Sequence, residues 1–201
     1  GDSSWGSIMI LENGFDCGYA ANYGGPMLID RHLFETIPAS DFRKNVWIDF
    51  AIDDMGEEGA IEALGNYTDH AEQILASAAS AQIGVGGMEL KFRPQAGKYW
   101  VKYDAWVVSV PLMRVEEMKL IEAEAAGMQD ASRGQALLEA FAKTRDANYV
   151  YGTHQDAYGN TSTSTFQNEI WWQRRVERCG EGFATFDIKR LQKGIIRSYE
   201  G

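Results

Sequence analysis

The sequence predicts a mainly α-helical protein, with tetratricopeptide-like helical pairs, long irregular loops and a small β-hairpin. Three observations predict this class. Apolar residues recur at helical spacing through residues 111–194, residues 1–50 are rich in glycine and aromatic residues, and apolar residues alternate within 88–110. With 201 residues, 45% of them hydrophobic, the chain is long enough to build a compact core.

The first half of the chain predicts little regular structure. A short helix is expected over residues 30–37, with Asp30 as its N-cap and Pro38 as its end. Residues 57–83 predict a helix in two pieces. We interpret the wider segment 51–87 as a variable helical insertion into a single domain spanning residues 1–201.

A glycine-rich run and a β-hairpin are expected next. The glycines of residues 84–87 predict a loop. The run lacks the full spacing of a phosphate-binding motif. In residues 88–110, Leu90 and Phe92 alternate with charged residues, and Tyr99 and Val101 alternate again after a turn. This pattern predicts the two strands of the hairpin.

Residues 111–147 predict two helices that pack antiparallel. The first is expected to begin at Pro111 and to end at Gly127, and the second to begin at a capping box formed by Ser132 and Gln135. Because only about five residues join them, they must pack side by side, as in a tetratricopeptide unit. The residues expected on the apolar face of the first helix are Val115, Met118, Ile121 and Ala125.

Two further helices are expected towards the end of the chain. A long helix over residues 166–179 follows a Ser/Thr run at 161–165 that offers N-caps, and a short helix lies near Asp187 and ends at Gly194. Trp171 and Trp172 are about 100° apart on the long helix, so they cannot share one face, and we interpret both as packing residues.

Charge and composition narrow the possible functions. The chain carries 19 Lys and Arg against 29 Asp and Glu, a net charge of -10. It therefore repels phosphate backbones and anionic membranes, and we expect no nucleic-acid partner. No apolar run of about 18 residues is present to span a membrane. Because the chain begins with Gly1 and without a signal sequence, we expect it to come from a longer precursor.

The cysteines and histidines predict no metal site, and no motif predicts a cofactor. Cys17 and Cys179 fit neither a zinc motif nor a CxxC redox pair. The three histidines, His32, His70 and His154, are far apart and have no metal-binding partner at helical spacing. We therefore interpret each histidine as structural.

Several motifs in the second half resemble one family. Residues 111–125 contain Arg114, Glu117 and the run Ala123-Glu124-Ala125, and residues 136–145 form a helix with a terminal arginine. The most specific segment is 174–190, which reads Arg-Arg-Val-Glu-Arg-Cys-Gly-Glu-Gly-Phe and then Phe-Asp-Ile-Lys-Arg. A weaker match is the Asp-Phe-Arg-Lys run at 41–44. Together these motifs resemble the C-terminal part of SusD/RagB proteins.

The resemblance covers most of residues 5–195, with some departures. Gln173 stands where the family favours Glu, Arg178 replaces an apolar residue, Ala184 an arginine and Leu191 a tryptophan. The resemblance implies a non-catalytic protein that captures glycans on the outer-membrane surface. It also implies a partner, a SusC-like TonB-dependent transporter, and a lipid anchor in an N-terminal region absent from this chain.

The charged residues of these motifs predict a structural network. Carboxylates beside apolar helix faces need partners, and arginines of other helices can supply them. Pairs one turn apart, such as Arg114 with Glu117 and Arg174 with Glu177, are also expected. The residues expected to form structural ion pairs are Arg114, Glu117, Glu124, Arg174, Glu177 and Glu181.

The candidate ligand-binding residues lie in the N-terminal loops. Aromatic faces stack on the apolar faces of sugars, and polar side chains read the hydroxyl groups. With 12% aromatic residues and six tryptophans, the chain is rich in suitable side chains. The residues expected to bind the ligand are Trp5, Tyr19, Tyr23, Trp47, Asn22 and Asp16.

Two other functions stay open. The first is a helical-repeat scaffold that binds a peptide or protein, in which case soluble sugars would give no thermal protection. The second is a glycoside hydrolase built on two carboxylates. Slow release of reducing ends that is abolished by Glu117→Gln or Glu177→Gln would favour the hydrolase.

Overall fold

The computed structural model describes residues 28–48, 58–59, 61–62, 85–89, 112–155 and 160–195. This part of the chain is mainly helical. The chain divides into two compact units, the first made of residues 1–34, 45–111 and 201, and the second of residues 35–44 and 112–200. Most of segment 51–87 and the predicted hairpin beyond residue 89 lie outside the described residues.

The described part of the first unit contains a small antiparallel sheet. Its strands are β1 (Leu28–Asp30), β2 (Trp47–Ile48) and β3 (Val85–Glu89), and β3 lies in the centre. Leu28 pairs with Met88, and Trp47 pairs with Glu89. The predicted loop at 84–87 is therefore wrong from Val85 onward, because pairing on both edges satisfies the backbone of a glycine-containing strand.

A short helix, α1 (Arg31–Glu35), follows β1 directly. The Asp30 carboxylate accepts a hydrogen bond of 2.9 Å from the Leu33 backbone N–H. The predicted cap is therefore confirmed, although α1 ends two residues before the predicted end at residue 37. A 3₁₀ helix, Phe42–Val46, then leads into β2.

Helices α2 (Val115–Gln129) and α3 (Ala131–Lys143) pack against each other in the second unit. A single residue joins them, fewer than the five predicted. Asp130 is the N-cap of α3, since its carboxylate accepts hydrogen bonds from the backbone N–H groups of Ser132 and Arg133 at 3.0 and 3.1 Å. The predicted cap at Ser132 is thus wrong by two residues.

Gly127 lies inside α2 and does not end it. A Cβ atom at Gly127 would lie 2.4 Å from Cε1 of Phe166, and one at Gly134 on α3 would lie 2.3 Å from the Cα of Gly127. Both glycines are therefore sites of close approach, where a methyl group would force the helices apart. A helix-ending glycine and a packing glycine are identical in sequence, which is why the prediction failed.

The buried face of α2 differs from the predicted one. Leu120 and Ala123 are fully buried, whereas Val115, Met118 and Ile121 expose 64%, 46% and 41% of their surface. The small side chain of Ala123 suits the close contact with α3. The predicted apolar face is therefore wrong.

Helix α4 (Thr165–Glu177) completes the core of the second unit. The core cluster comprises Leu120, Ala123, Leu138, Phe141 and Ile170. Ser164 caps α4 in a reciprocal capping box with Gln167, as the Ser/Thr run predicts. Both adjacent tryptophans, Trp171 and Trp172, are buried.

The last described helix, α5 (Ala184–Leu191), ends three residues before the predicted Gly194. Gln192 ends it with a left-handed φ of 54°. No helix in the described part of the chain is both long and apolar enough to cross a membrane.

Candidate functional site

A cavity of about 570 Å³ opens in the second unit. It is formed by the turn after α1, the loop after α3 and one side chain of α4. The residues that line it are Thr36, Pro38, Ser40, Asp41, Asp146, Asn148, Tyr149, Val150, Thr153, His154, Gln155 and Trp172. We call it the His154 cavity. Its volume is in the range of small-molecule sites in proteins.

Aromatic rings form one wall of the His154 cavity. The imidazole of His154 stacks on the indole of Trp172, with ring centroids 3.6 Å apart and planes 14° from parallel. The Tyr149 ring is also nearly parallel to the His154 imidazole, with an angle of 11° between the planes and 6.2 Å between the ring centroids. The Trp172 indole N–H donates a hydrogen bond of 2.7 Å to the hydroxyl of Thr36. This hydrogen bond fixes the orientation of the Trp172 ring on which the imidazole stacks.

Glu169 of α4 contacts the Nδ1 edge of the His154 imidazole. It is fully buried. Its Oε2 lies 2.9 Å from His154 Nδ1 and accepts a hydrogen bond of 2.8 Å from the Tyr149 hydroxyl, and its Oε1 accepts one of 2.7 Å from the His154 backbone N–H. Burial opposes ionisation, but these hydrogen bonds and the imidazole lower the pKa of Glu169. Burial and the charge of Glu169 raise the pKa of Tyr149.

The remaining wall is polar and has two carboxylates, Asp41 and Asp146, of which Asp146 accepts a hydrogen bond of 2.8 Å from the Asn148 backbone N–H. Ser40, Asn148, Thr153 and Gln155 offer neutral hydroxyl and amide groups. Asp41 is neutralised by a bidentate contact with Arg43, at 3.0 and 2.7 Å. Within the described residues, the lining contains no lysine or arginine. The cavity therefore suits a neutral, hydroxyl-bearing ligand and not a phosphate or carboxylate.

A second set of buried charges surrounds Glu177, at the other end of α4. Its carboxylate lies 3.4 Å from Arg43, 3.0 Å from Arg114 and 3.1 Å from Arg145. We call Glu177 and these three arginines the Glu177 cluster. Arg43 belongs to the weakly matched run at 41–44, so it joins this run to the motif of α4.

The charges in the Glu177 cluster have a clear electrostatic effect. Burial alone would raise the pKa of Glu177, but the hydrogen bond from Arg145 and the charges of Arg43 and Arg114 lower it below its ordinary value. A general acid of a glycosidase requires a raised pKa. The geometry of Glu177 thus suits a structural carboxylate better than a proton donor.

The other residues predicted to form ion pairs also do so, mostly with partners on other segments. Arg114 contacts Glu181 at 2.8 Å, and Arg178 contacts Glu117 at 2.6 Å. Arg174 pairs with Asp187 at 2.7 Å, and Arg190 pairs with Glu124. In place of the expected pairs one turn apart, Arg114 contacts Glu177 and Glu117 contacts Arg178, because these side chains face neighbouring segments.

Only one of the six residues predicted to bind the ligand lies among the described residues. Five of them lie outside the described residues: Trp5, Asp16, Tyr19, Asn22 and Tyr23. Trp47 lies on β2 and exposes only 5% of its surface. Trp47 is not among the residues that line the His154 cavity, so it is not part of this candidate site.

Sequence reasoning missed the residues of the His154 cavity. The sequence interpretation gives His154 a structural role, and no motif indicates a role for Tyr149. One signal could have found them: Glu169 lies in the apolar part of α4 and needs buried donors. The donors come from residues 149 and 154, which only the folded loop brings within reach.

A second concavity of the second unit is a groove between α2, α4 and α5. Ile121, Met128 and Phe166 provide its apolar surface, and the paired Arg190 and Glu124 lie at its rim. Met128 exposes 85% of its surface. We call this the Met128 groove.

Comparisons with known proteins give no relative for this chain. No protein-family model, curated protein or solved structure matches it. Among the described residues, no group of three or more His, Cys, Asp or Glu could hold a metal ion.

Proposed function

We propose that this chain is a non-catalytic glycan-binding protein of the SusD/RagB type. It would act at the outer-membrane surface as the capture component of a nutrient uptake system, with a SusC-like TonB-dependent transporter as its partner. The observation that carries the proposal is the His154 cavity, whose aromatic wall and neutral polar groups match the chemistry of a sugar.

The two classes of lining group would have different tasks. Tyr149, His154 and Trp172 supply the apolar part of the lining, against which the C–H groups of a sugar ring could pack. Asn148 and Gln155 line the same cavity and can exchange hydrogen bonds with hydroxyl groups. A neutral glycan suits this lining better than an anion does, because the charged groups of the lining are the carboxylates of Asp41 and Asp146.

The Glu177 cluster and the paired helices support the family part of the proposal. Arg43, Arg114, Arg145 and Glu177 belong to the motifs that carry the resemblance, and they lie in one largely buried network. Helices α2 and α3 are joined by one residue and pack closely through Gly127 and Gly134. We propose that they correspond to a tetratricopeptide-like pair, and that the network stabilises this scaffold beside the cavity.

Binding to soluble neutral polysaccharides tests the proposal. Starch, dextran, xylan, galactomannan and arabinan would be titrated while tryptophan fluorescence is recorded, because Trp172 lies in the cavity wall. We expect at least one of them to change the emission and to raise the unfolding temperature. Asn148→Ala should weaken binding about tenfold, the effect of losing a hydrogen bond.

The matched control is Met128→Ala, which alters the groove and leaves the cavity unchanged. It should bind the same polysaccharide as the unmodified protein does. No response to any member of the panel, or equal loss in both variants, would refute glycan binding in the cavity.

A second candidate function is binding of a peptide or protein. The observation that favours it is the Met128 groove, because exposed methionine and aromatic side chains beside an ion pair suit an amphipathic peptide. In that case a peptide library would select ligands whose binding is lost in Met128→Ala and kept in Asn148→Ala.

A further inference from the structure

Among the described residues, one ring nitrogen of the stacked histidine in the cavity has no hydrogen-bond partner. His154 Nδ1 lies 2.9 Å from Glu169 and 3.2 Å from the Thr153 hydroxyl. Within the described part of the chain, Nε2 makes no hydrogen bond. One ring face is covered by Trp172 at 3.6 Å. The ring edge that carries Nε2 is therefore the part of the imidazole left for a ligand.

The neighbours of Nδ1 determine which nitrogen carries the proton. The Glu169 carboxylate already receives the Tyr149 hydroxyl and the His154 backbone N–H, so it acts as an acceptor. The Thr153 hydroxyl donates its hydrogen to the Val150 carbonyl at 2.9 Å, so towards Nδ1 it can only accept. Two acceptors facing Nδ1 require the proton there, and a neutral imidazole then has an acceptor at Nε2.

We infer that Nε2 of His154 is the acceptor with which the cavity recognises a sugar hydroxyl, an inference that rests on the proposed glycan binding. Glu169 is the positioning residue, because it holds the imidazole in the tautomer that leaves Nε2 unprotonated. The ligand must then present a hydrogen-bond donor at this point. A hydroxyl group does so, whereas a fluorine or hydrogen at the same carbon does not.

The first measurement needs no substitution. The imidazole nitrogen signals of His154 would be recorded by NMR over a pH series, at the alkaline end where the two nitrogen shifts identify a neutral ring. We expect the Nδ1-protonated tautomer before any ligand is added. Addition of maltotriose, isomaltotriose, xylotriose, mannotriose or arabinotriose should shift the Nε2 signal for those trisaccharides that bind.

The substitution Glu169→Gln then reverses the tautomer. The new amide oxygen can still accept from the His154 backbone N–H, while the amide nitrogen donates to Nδ1 and moves the proton to Nε2. Trisaccharide binding should weaken about tenfold, since the sugar hydroxyl can no longer donate to Nε2 and must turn away from its preferred orientation to accept from it. His154→Phe, which keeps a ring on Trp172, should lose the same interaction, and Met128→Ala should retain full binding.

The outcomes separate this inference from the proposed function. If a trisaccharide binds but the Nε2 signal does not move, or if Glu169→Gln binds equally well, the role of His154 is refuted and glycan binding stands. The Nε2-protonated tautomer in the free protein also refutes it. If neither the trisaccharides nor the polysaccharides bind, both proposals fail together.

Discussion

Helix α4 carries three buried polar side chains at intervals of four residues, and each has a different environment. Glu177 lies among three arginines, Glu169 accepts hydrogen bonds from a tyrosine, a backbone N–H and a histidine, and Gln173 between them is fully buried. Positions four apart share one face of a helix, so this is a single stripe.

The two glutamates teach different uses of a buried carboxylate. The hydrogen bonds and opposite charges around each one lower its pKa and keep it ionised. At Glu177 the partners are cations, and removal of the carboxylate would leave them uncompensated. At Glu169 the partners are the Tyr149 hydroxyl and the backbone and imidazole of His154, beside the His154 cavity. The hydroxyl and the imidazole can also act as acceptors. We therefore expect Glu177 to govern stability and Glu169 to govern recognition.

The largest expected effect is on stability, from Glu177→Gln. The substitution should lower the free energy of unfolding by about 3 kcal/mol, because it leaves buried guanidinium charges without their carboxylate. Urea unfolding followed by far-UV circular dichroism measures it. The control is Glu139→Gln, which breaks an exposed contact of 3.3 Å with Lys143 and should cost less than about 0.5 kcal/mol. Similar losses in both variants would contradict the structural role of the cluster.

The second prediction concerns the acid side of the stability curve. A carboxyl whose folded-state pKa is lowered contributes stability above its unfolded pKa of 4.5 and loses it as the pH falls through the folded value. The unmodified protein should therefore lose stability below about pH 4.5, by at most about 1.4 kcal/mol per pH unit for each such carboxyl.

Substitution of either carboxyl should flatten this acid limb. Glu169→Gln and Glu177→Gln each remove one group of lowered pKa, and the double variant should combine both changes if the two titrate independently. Unfolding midpoints in urea, measured from about pH 3 to about pH 7, give the slopes. An acid limb that is unchanged in both single variants would contradict the environments described for these two residues.

Glu169→Gln should have a smaller effect on stability than Glu177→Gln. The amide still accepts from the His154 backbone N–H, and the Tyr149 hydroxyl and the imidazole can each reverse donor and acceptor roles. We expect a loss of about 1 kcal/mol. The same urea experiment measures it, and a loss equal to that of Glu177→Gln would remove the contrast between the two carboxylates.

Part of this stripe could be predicted from the sequence. Charged side chains within apolar helices require buried partners, and this argument correctly predicts that Arg114, Glu117 and Glu177 have partners in the folded chain. It did not identify every partner, because Arg43 lies 134 positions from Glu177. The His154 cavity was missed for the same reason, since its walls come from three separate segments.

Within the fold, too, features that depend on neighbouring residues in the sequence were predicted, and features that depend on distant residues were not. The caps of α1 and α4 depend on side chains within three residues of the helix start, and the sequence predicts both. The buried face of α2 depends on how closely α3 approaches through Gly127 and Gly134. That approach is a tertiary property, so neither the apolar face nor the end of α2 could be predicted correctly.

The smallest expected effect comes from Gln173, the middle residue of the stripe. Its amide nitrogen and oxygen have no hydrogen-bond partner within the part of the chain that the structure describes. A buried polar group without partners costs free energy, so an apolar residue of the same shape removes that cost. Gln173→Met should therefore be neutral, or stabilising by up to about 1 kcal/mol.

Gln173→Ala is the matched control for this last substitution. It removes the amide and also opens a void in a closely packed region, which costs about 2 kcal/mol in comparable cores. If Gln173 only fills space, the methionine variant keeps or raises the urea midpoint while the alanine variant lowers it. A loss of about 2 kcal/mol or more in Gln173→Met would show that the amide has buried partners. All three residues of the stripe would then have polar partners. The difference between Glu169 and Glu177 would have to be explained by a hydrogen-bond network that joins them through Gln173.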